Sequence, residues 1–351
     1  MNAFQRTFAL LAAAILLSGV TALRAADKDK SPKKPEPIGD KHFRLYDGKG
    51  TSKTLDNLLH CMRNVDVVFL GESHDDPVAH YLQARLLRLM NEQRSNRPLA
   101  LSLEMFERDV QPVLDEYLAG LITEQHFLAS SRPWNNYKQD YRPLLEYARE
   151  KELPVLAANA PRRYVNRVGR LGAASLKDIP DPQRRGLPPL PYGEASSAYA
   201  AKFNALMKEH GPKKPEPKKG KEPPKLLPAP PGPPRMPPAD QPVKAEPDPR
   251  RGLEAQSLWD ATMAYSLAEF LLRSPGVQVI HLNGRFHTEK RLGIADHLLR
   301  YRPGTSFLVV TMLSAKSFPK FDAKEMTDLG DFVIVTDPSL PRSFKSEPPK
   351  K

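Results

Sequence analysis

Six short apolar runs recur along the chain, at residues 65–70, 99–103, 154–158, 277–282, 306–313 and 332–335. They are continuous rather than alternating, the pattern of strands covered on both faces. Between most of them the apolar positions return at helical spacing. Residues 77–94 place Leu82, Leu86, Leu89 and Met90 on one side, and 110–119, 141–151 and 292–301 follow the same rule. Strand alternating with helix predicts an α/β fold with a doubly wound, mostly parallel sheet.

Residues 161–171, 195–207 and 252–272 break the alternation with helix upon helix. They predict a smaller helical lid subdomain, about residues 161–272, within an α/β domain that runs from 42 to 341. Inside the lid, residues 208–250 hold 15 prolines and no aromatic residue. So little apolar mass cannot offset the entropy of ordering, and a solvated, polyproline-like insertion is expected there. Residues 27–41 and 342–351 read as tails of the same kind.

The first 26 residues read as a secretory leader: Arg6 is the positive start, 8–17 the apolar stretch, and Ala25 and Ala26 precede a cleavage point near Asp27. The stretch stops at Ser18 and Gly19, short of the roughly 20 residues that a spanning helix needs. Cleavage is therefore expected, with export to the periplasm, the envelope or the exterior. The single cysteine, Cys61, excludes an intramolecular disulfide and falls at an apolar helical position, as a buried small hydrophobe would.

A net charge of +12 would point to nucleic acid or a membrane if it lay on folded structure. Residues 1–26, 27–41, 208–250 and 342–351 carry +2, +1, +4 and +3, which leaves +2 for the remainder. A near-neutral folded part argues against a nucleic-acid partner. The basic tails fit only weak contact with an anionic envelope surface.

The chemistry gathers at strand ends. The run 65–70 empties into Gly71, Glu72, Ser73 and His74, and the run 277–282 into Asn283, Gly284, Arg285, Phe286 and His287. Both are Gly-x-x-His turns on the carboxyl edge of the sheet, where open α/β folds bind ligands. Glycine is expected to give each turn a conformation closed to other residues, returning the imidazole toward the crevice. Two further strands end on Glu104 and Asn159, so Glu72, His74, Glu104, Asn159 and His287 are predicted to face one crevice. Asp76 and Pro77 read instead as the N-cap and first residue of a helix.

A lone strand-end histidine is more often a cap or a satisfied core group. Two of them beside two carboxylates tip the balance toward a site. Imidazole with carboxylate is the ligand set of a divalent metal such as Zn, Mn or Fe, with Glu72, His74, Glu104 and His287 as donors. The same groups serve as general acid and base without metal, and the residues alone do not choose. Neither a Gly-x-Ser-x-Gly elbow nor a phosphate-cradling glycine loop occurs, so serine hydrolases and nucleotide binders lose their usual support.

Beyond these residue types, whole words stand out. They are Phe69-Leu-Gly-Glu-Ser-His-Asp followed by His80, Leu101-Ser-Leu-Glu-Met-Phe-Glu-Arg with Gln111, Trp134 with Tyr141, Ala158-Asn-Ala-Pro-Arg, and Gly284-Arg-Phe-His with Gly293-Ile. Over about residues 60–315 the chain thereby resembles the ChaN-like haem-binding proteins, of the larger group that includes Tiki metalloproteases, TraB proteins and erythromycin esterases. The paired turns with a glutamate mark the larger group; the Glu-Met-Phe and Asn-Ala-Pro-Arg words point to ChaN within it.

The resemblance implies an envelope protein that binds haem between a large α/β domain and a small helical one. It further implies a tyrosinate on ferric iron, a homodimer stacking two haems, and a role in haem or iron uptake as a binding protein rather than an enzyme. Tyr164, Tyr192 and Tyr199, in the lid, are the candidate iron ligands. Arg162, with Arg163, is a candidate for the propionates, and Asn159 completes the cofactor-binding set. Each has a plainer alternative, the tyrosines as packing residues and the arginines as solvated helix residues. A metal-dependent hydrolase of the Tiki or esterase kind, using the paired turns, is the second reading. The chain departs from the family in lacking a lipobox cysteine and in carrying the insertion within its lid.

Overall fold

The computed structural model describes residues 37–93, 97–210 and 248–343. The expected leader, and most of the expected linker, insertion and C-terminal tail, lie outside the described residues.

In chain order the elements are β1 (Phe43–Asp47), α1 (Leu55–Met62), β2 (Val67–Glu72), α2 (Pro77–Glu92), β3 (Leu99–Glu107), α3 (Gln111–Leu118), α4 (Glu124–Ser131), α5 (Arg142–Glu150) and β4 (Val155–Asn159). After them come α6 (Arg162–Leu171), α7 (Asp181–Arg184), α8 (Ser197–His210), α9 (Pro249–Arg273), β5 (Gln278–Gly284), α10 (Ile294–Tyr301), β6 (Phe307–Ser314), α11 (Ala323–Met326) and β7 (Phe332–Thr336). The seven strands form one sheet in the order β1-β7-β6-β2-β5-β3-β4. Every neighbouring pair is parallel except β1 with β7. The α/β class and the mostly parallel, helix-flanked sheet are thus as the apolar runs predict.

Continuous apolar strands follow from burial on both faces. Val68, Leu70, Leu101 and Ile280 pack with α1, α2, α3 and α5 on one side, while the alternate residues Val67, Phe69, Ala100 and Val279 pack with α9 and α10 on the other. Each fully buried Val, Leu, Ile or Phe side chain among them contributes about 1.5–3 kcal/mol relative to exposure. Asp76 caps α2 by accepting from the Val78 and Ala79 amides, and Pro77 takes the first helical position.

Helices form over the segments expected for a lid, and α9 packs in two directions. Its first half packs Ala255, Leu258 and Ala261 against Val165 and Val168 of α6, and its second half lays Met263, Leu267 and Leu271 on the sheet. β1 escapes the sequence pattern. It is an edge strand in which buried Phe43 and Leu45 alternate with exposed Arg44 and half-buried Tyr46, so it makes no continuous apolar run.

Candidate functional site

The two Gly-x-x-His turns lie side by side. In the parallel register of β2 and β5, Gly71 pairs with Asn283 and Glu72 with Gly284. The expected reason for glycine does not hold. Neither residue has a positive φ, and Gly284 sits at φ −59°, ψ 129°. What each position lacks is room. A Cβ on Gly71 would lie 2.9 Å from the Arg285 Cα, and one on Gly284 would lie 2.8 Å from both Cε1 and Nε2 of His74. Each glycine makes space for the other turn.

Glu72 ends β2 with its carboxylate buried beneath His74. Oε1 accepts from the Tyr141 hydroxyl at 2.6 Å and pairs with His74 Nδ1 at 3.0 Å. Oε2 accepts from Gln83 Nε2 at 2.7 Å and pairs with His80 Nδ1 at 3.0 Å. Burial alone would raise this carboxyl, yet the His80 and His74 imidazoles outweigh it and hold it down at about 2. A π-helical turn over Tyr137–Tyr141 precedes α5 and ends on Tyr141. The same segment brings Asn136, which donates to the His74 carbonyl at 3.0 Å. The His74 ring meets Trp134 edge-on at 4.7 Å, its side chain remains 43% exposed, and its Nε2 has no hydrogen-bond partner among the described residues.

His287 is set differently. Its Nδ1 meets Asp260 Oδ1 of α9 at 2.5 Å, and its Nε2 lies 3.6 Å from Glu104 Oε1. Burial disfavours its charge, but the Glu104 and Asp260 carboxylates prevail and raise it. Glu104 occupies an irregular stretch of β3, where pairing to β4 shifts between Leu103 and Glu107, and its Oε2 accepts from the Gly284 amide at 2.6 Å. Lys202 of α8 closes the turn from the other side, donating to the Phe286 carbonyl at 2.6 Å.

His74, Glu104, Asn159, Arg162 and His287 line one cleft of about 1180 Å³, together with Trp134, Trp259 and Met105. Glu72 lies below it, with both oxygens engaged. Three of the four residues expected as metal donors thus share the cleft, and Glu72 does not reach it. Among the described residues no group of three or more His, Cys, Asp or Glu side chains could hold a metal ion. The physical reason is saturation: Glu72 spends its acceptor sites on four donors, and His287 is enclosed by two carboxylates.

The lid tyrosines also sit elsewhere. Tyr164 donates to the Gln183 carbonyl at 3.1 Å and Tyr192 to the Glu254 carbonyl at 2.9 Å. Tyr199 is buried with its hydroxyl accepting from Gln256, and burial and the Asp260 carboxylate push its ionisation well above the ordinary value. None of the three lines the cleft. Sequence reasoning missed Asp260, though it left a signal: an acidic residue within the apolar stretch of α9 that includes Leu258, Ala261 and Met263.

A sequence profile described as haem-binding uptake, Tiki superfamily, ChaN matches residues 58–298, which hold both turns and the whole cleft wall. The chain belongs to this ChaN family. Among solved structures, ChaN of Campylobacter jejuni, described with cofacial haem, aligns with a TM-score of 0.55 and 18% identity over 86% of this chain and 100% of that one. A likeness at that identity bears on the fold. An erythromycin esterase mutant in its open conformation aligns at a TM-score of 0.41 and 14% identity, over 84% of this chain and 83% of that one. A curated chloroplastic protein, RETICULATA-RELATED 5 of Arabidopsis thaliana, is 26% identical over 136 residues, 37% of this chain. The match spans only 18% of that relative's length.

Proposed function

We propose that the cleft binds haem and that the protein handles haem or iron after export. The observation that carries this reading is the cleft wall of a chain in a haem-binding family. Trp134 and Trp259 offer apolar surface to a flat macrocycle, while Arg162 stands on the same wall with no ion pair or hydrogen bond among the described residues. Flat aromatic ligands gain from such packing, and a guanidinium matches a propionate in a two-point contact. In these two requirements, apolar and anionic, the residues present fit haem. Bound haem would supply its own iron chemistry; the chain's residues bind it, orient it and, through Glu72, fix the His74 ring at the cleft.

Titrating haemin into the purified protein should give a saturable Soret shift. Absence of saturation would end the reading. Export is supported by the leader-like residues 1–26, and N-terminal sequencing of protein recovered from producing cells should start near Asp27.

A further inference from the structure

Four arginines stand on the cleft wall, Arg132, Arg162, Arg163 and Arg170, and they are not equally available to a ligand. Resting on the haem-binding reading above, we propose that Asp109 sets the anion capacity of the cleft. It holds two of these arginines out of use, so that the ligand accepted is a tetrapyrrole with two carboxylates.

The positive charge comes mainly from α6, which carries four arginines and no acidic residue. Arg162, Asn166 and Arg170 recur every four residues and form one stripe along the helix, and all three line the cleft. Arg167 does not, and pairs with Asp178 at 3.2 Å. Arg162 has no ion pair or hydrogen bond among the described residues. The Arg170 side chain donates through Nε to Asn166 at 3.0 Å, and its terminal nitrogens have no partner among the described residues. About 12 Å of helix separates the two Cα atoms, at 1.5 Å per residue. Side chains as long as arginine's close that gap onto one ligand.

The other two are occupied. Asp109 follows β3 in a single 3-10 turn, Arg108–Val110. Its Oδ1 accepts from Arg132 at 2.6 Å and its Oδ2 from Arg163 at 2.5 Å, while Arg132 also reaches Glu107 at 2.9 Å. Arg132 is the C-cap of α4, in the left-handed conformation at φ 52°, and Arg163 belongs to α6. One carboxylate thereby joins three segments. Asp109 does not itself line the cleft, so it subtracts positive charge without meeting a ligand. Two open guanidiniums match two propionates, each in a two-point contact. A third and fourth carboxylate would find Arg132 and Arg163 already neutralised.

The test compares ligands that differ in carboxylates. Full-length wild type, Asp109→Asn and Asp109→Glu are titrated with haemin, which has two, and with iron coproporphyrin, which has four. Wild type is expected to bind iron coproporphyrin no more tightly than haemin. Asp109→Asn should shift the ratio of the two affinities toward iron coproporphyrin by about threefold or more, half-exposed ion pairs being weak. Asp109→Glu should return the ratio to its wild-type value, and the shift should fade as salt is raised. A ratio unmoved in Asp109→Asn, or a wild type that prefers iron coproporphyrin, overturns the proposal and leaves haem binding standing. If no protein binds either porphyrin, the reading beneath it falls as well. Should Asp109→Asn not fold, the wild-type preference alone decides.

Discussion

The His74 ring occupies the space that a side chain on residue 284 would need, with Cε1 and Nε2 each 2.8 Å from where a Cβ would stand. Residue 71 stands in the same relation to the backbone of Arg285, at 2.9 Å. The obstacle at 284 is a side chain that can swing away, and the obstacle at 71 is main chain that cannot. Gly71→Ala should therefore destabilise more than Gly284→Ala, the latter by about 1–3 kcal/mol as overpacking typically costs. Gly284→Ala should instead displace His74 and weaken haemin binding. Urea unfolding of both variants checks the order, and the reverse order would refute the close-approach account.

The pair Glu72 and His80 sets a pH window for stability. Burial opposes charge on both, yet their mutual attraction holds Glu72 at about 2 and lifts His80 to about 9. A carboxyl lowered on folding adds stability above its ordinary 4.5 that is lost as pH falls toward about 2. An imidazole raised on folding adds stability below its ordinary 6.5 that is lost as pH rises through about 9. Stability from this pair should peak between those ordinary values and decline on either side. His80→Gln should shrink the alkaline decline; an unchanged slope in urea melts across that range would count against the pair.

Burial disfavours charge on His287, and the carboxylates of Glu104 and Asp260 together raise its affinity for a proton. With the Asp260 charge removed in Asp260→Asn, the affinity of His287 for that proton should fall at least tenfold, because a charge-assisted bond is worth about 1.5–3 kcal/mol. Nuclear magnetic resonance titration of the His287 ring protons measures this directly.

Arg162 should discriminate ligands by their carboxylates. Arg162→Glu is expected to weaken haemin binding by at least tenfold, a bond to a charged partner being worth about 1.5–3 kcal/mol. The dimethyl ester of haemin should lose far less. Equal losses for the two ligands would mean that Arg162 acts on the fold and not on the anion.

Gln111 covers the open edge of β4, donating to the Val155 carbonyl at 2.8 Å and accepting from the Ala157 amide at 2.7 Å, as a neighbouring strand would. Gln111→Ala should cost about 1–3 kcal/mol for the groups left unpaired and should promote self-association through the bared edge. Light scattering against concentration checks the second effect.

The strands and long helices were readable because their cause is local: an apolar run between two helix layers, or a stripe at helical spacing. β1 was not, since an edge strand needs few apolar residues. The turns were readable as words but their glycines were misread, because close approach between residues 71 and 285 belongs to the register of β2 on β5, which no window of sequence contains. The same limit hid Asp260, far along the chain from His287. Glu72 looked like a ligand for want of its partners, Tyr141, Gln83 and His80, whose convergence only the fold creates.

The helices on either side of residues 211–247 are secured separately, α8 by Lys202 on the Phe286 carbonyl and α9 by Asp260 on His287. The sheet, moreover, interleaves the two portions of chain: β1 to β4 come before that stretch and β5 to β7 after it, so four of the six strand neighbours join one portion to the other. Continuity of the polypeptide there is not what assembles the cleft. A protein severed between α8 and α9 should hold together as a two-fragment complex, and the halves, produced apart, should find each other and rebuild a single site.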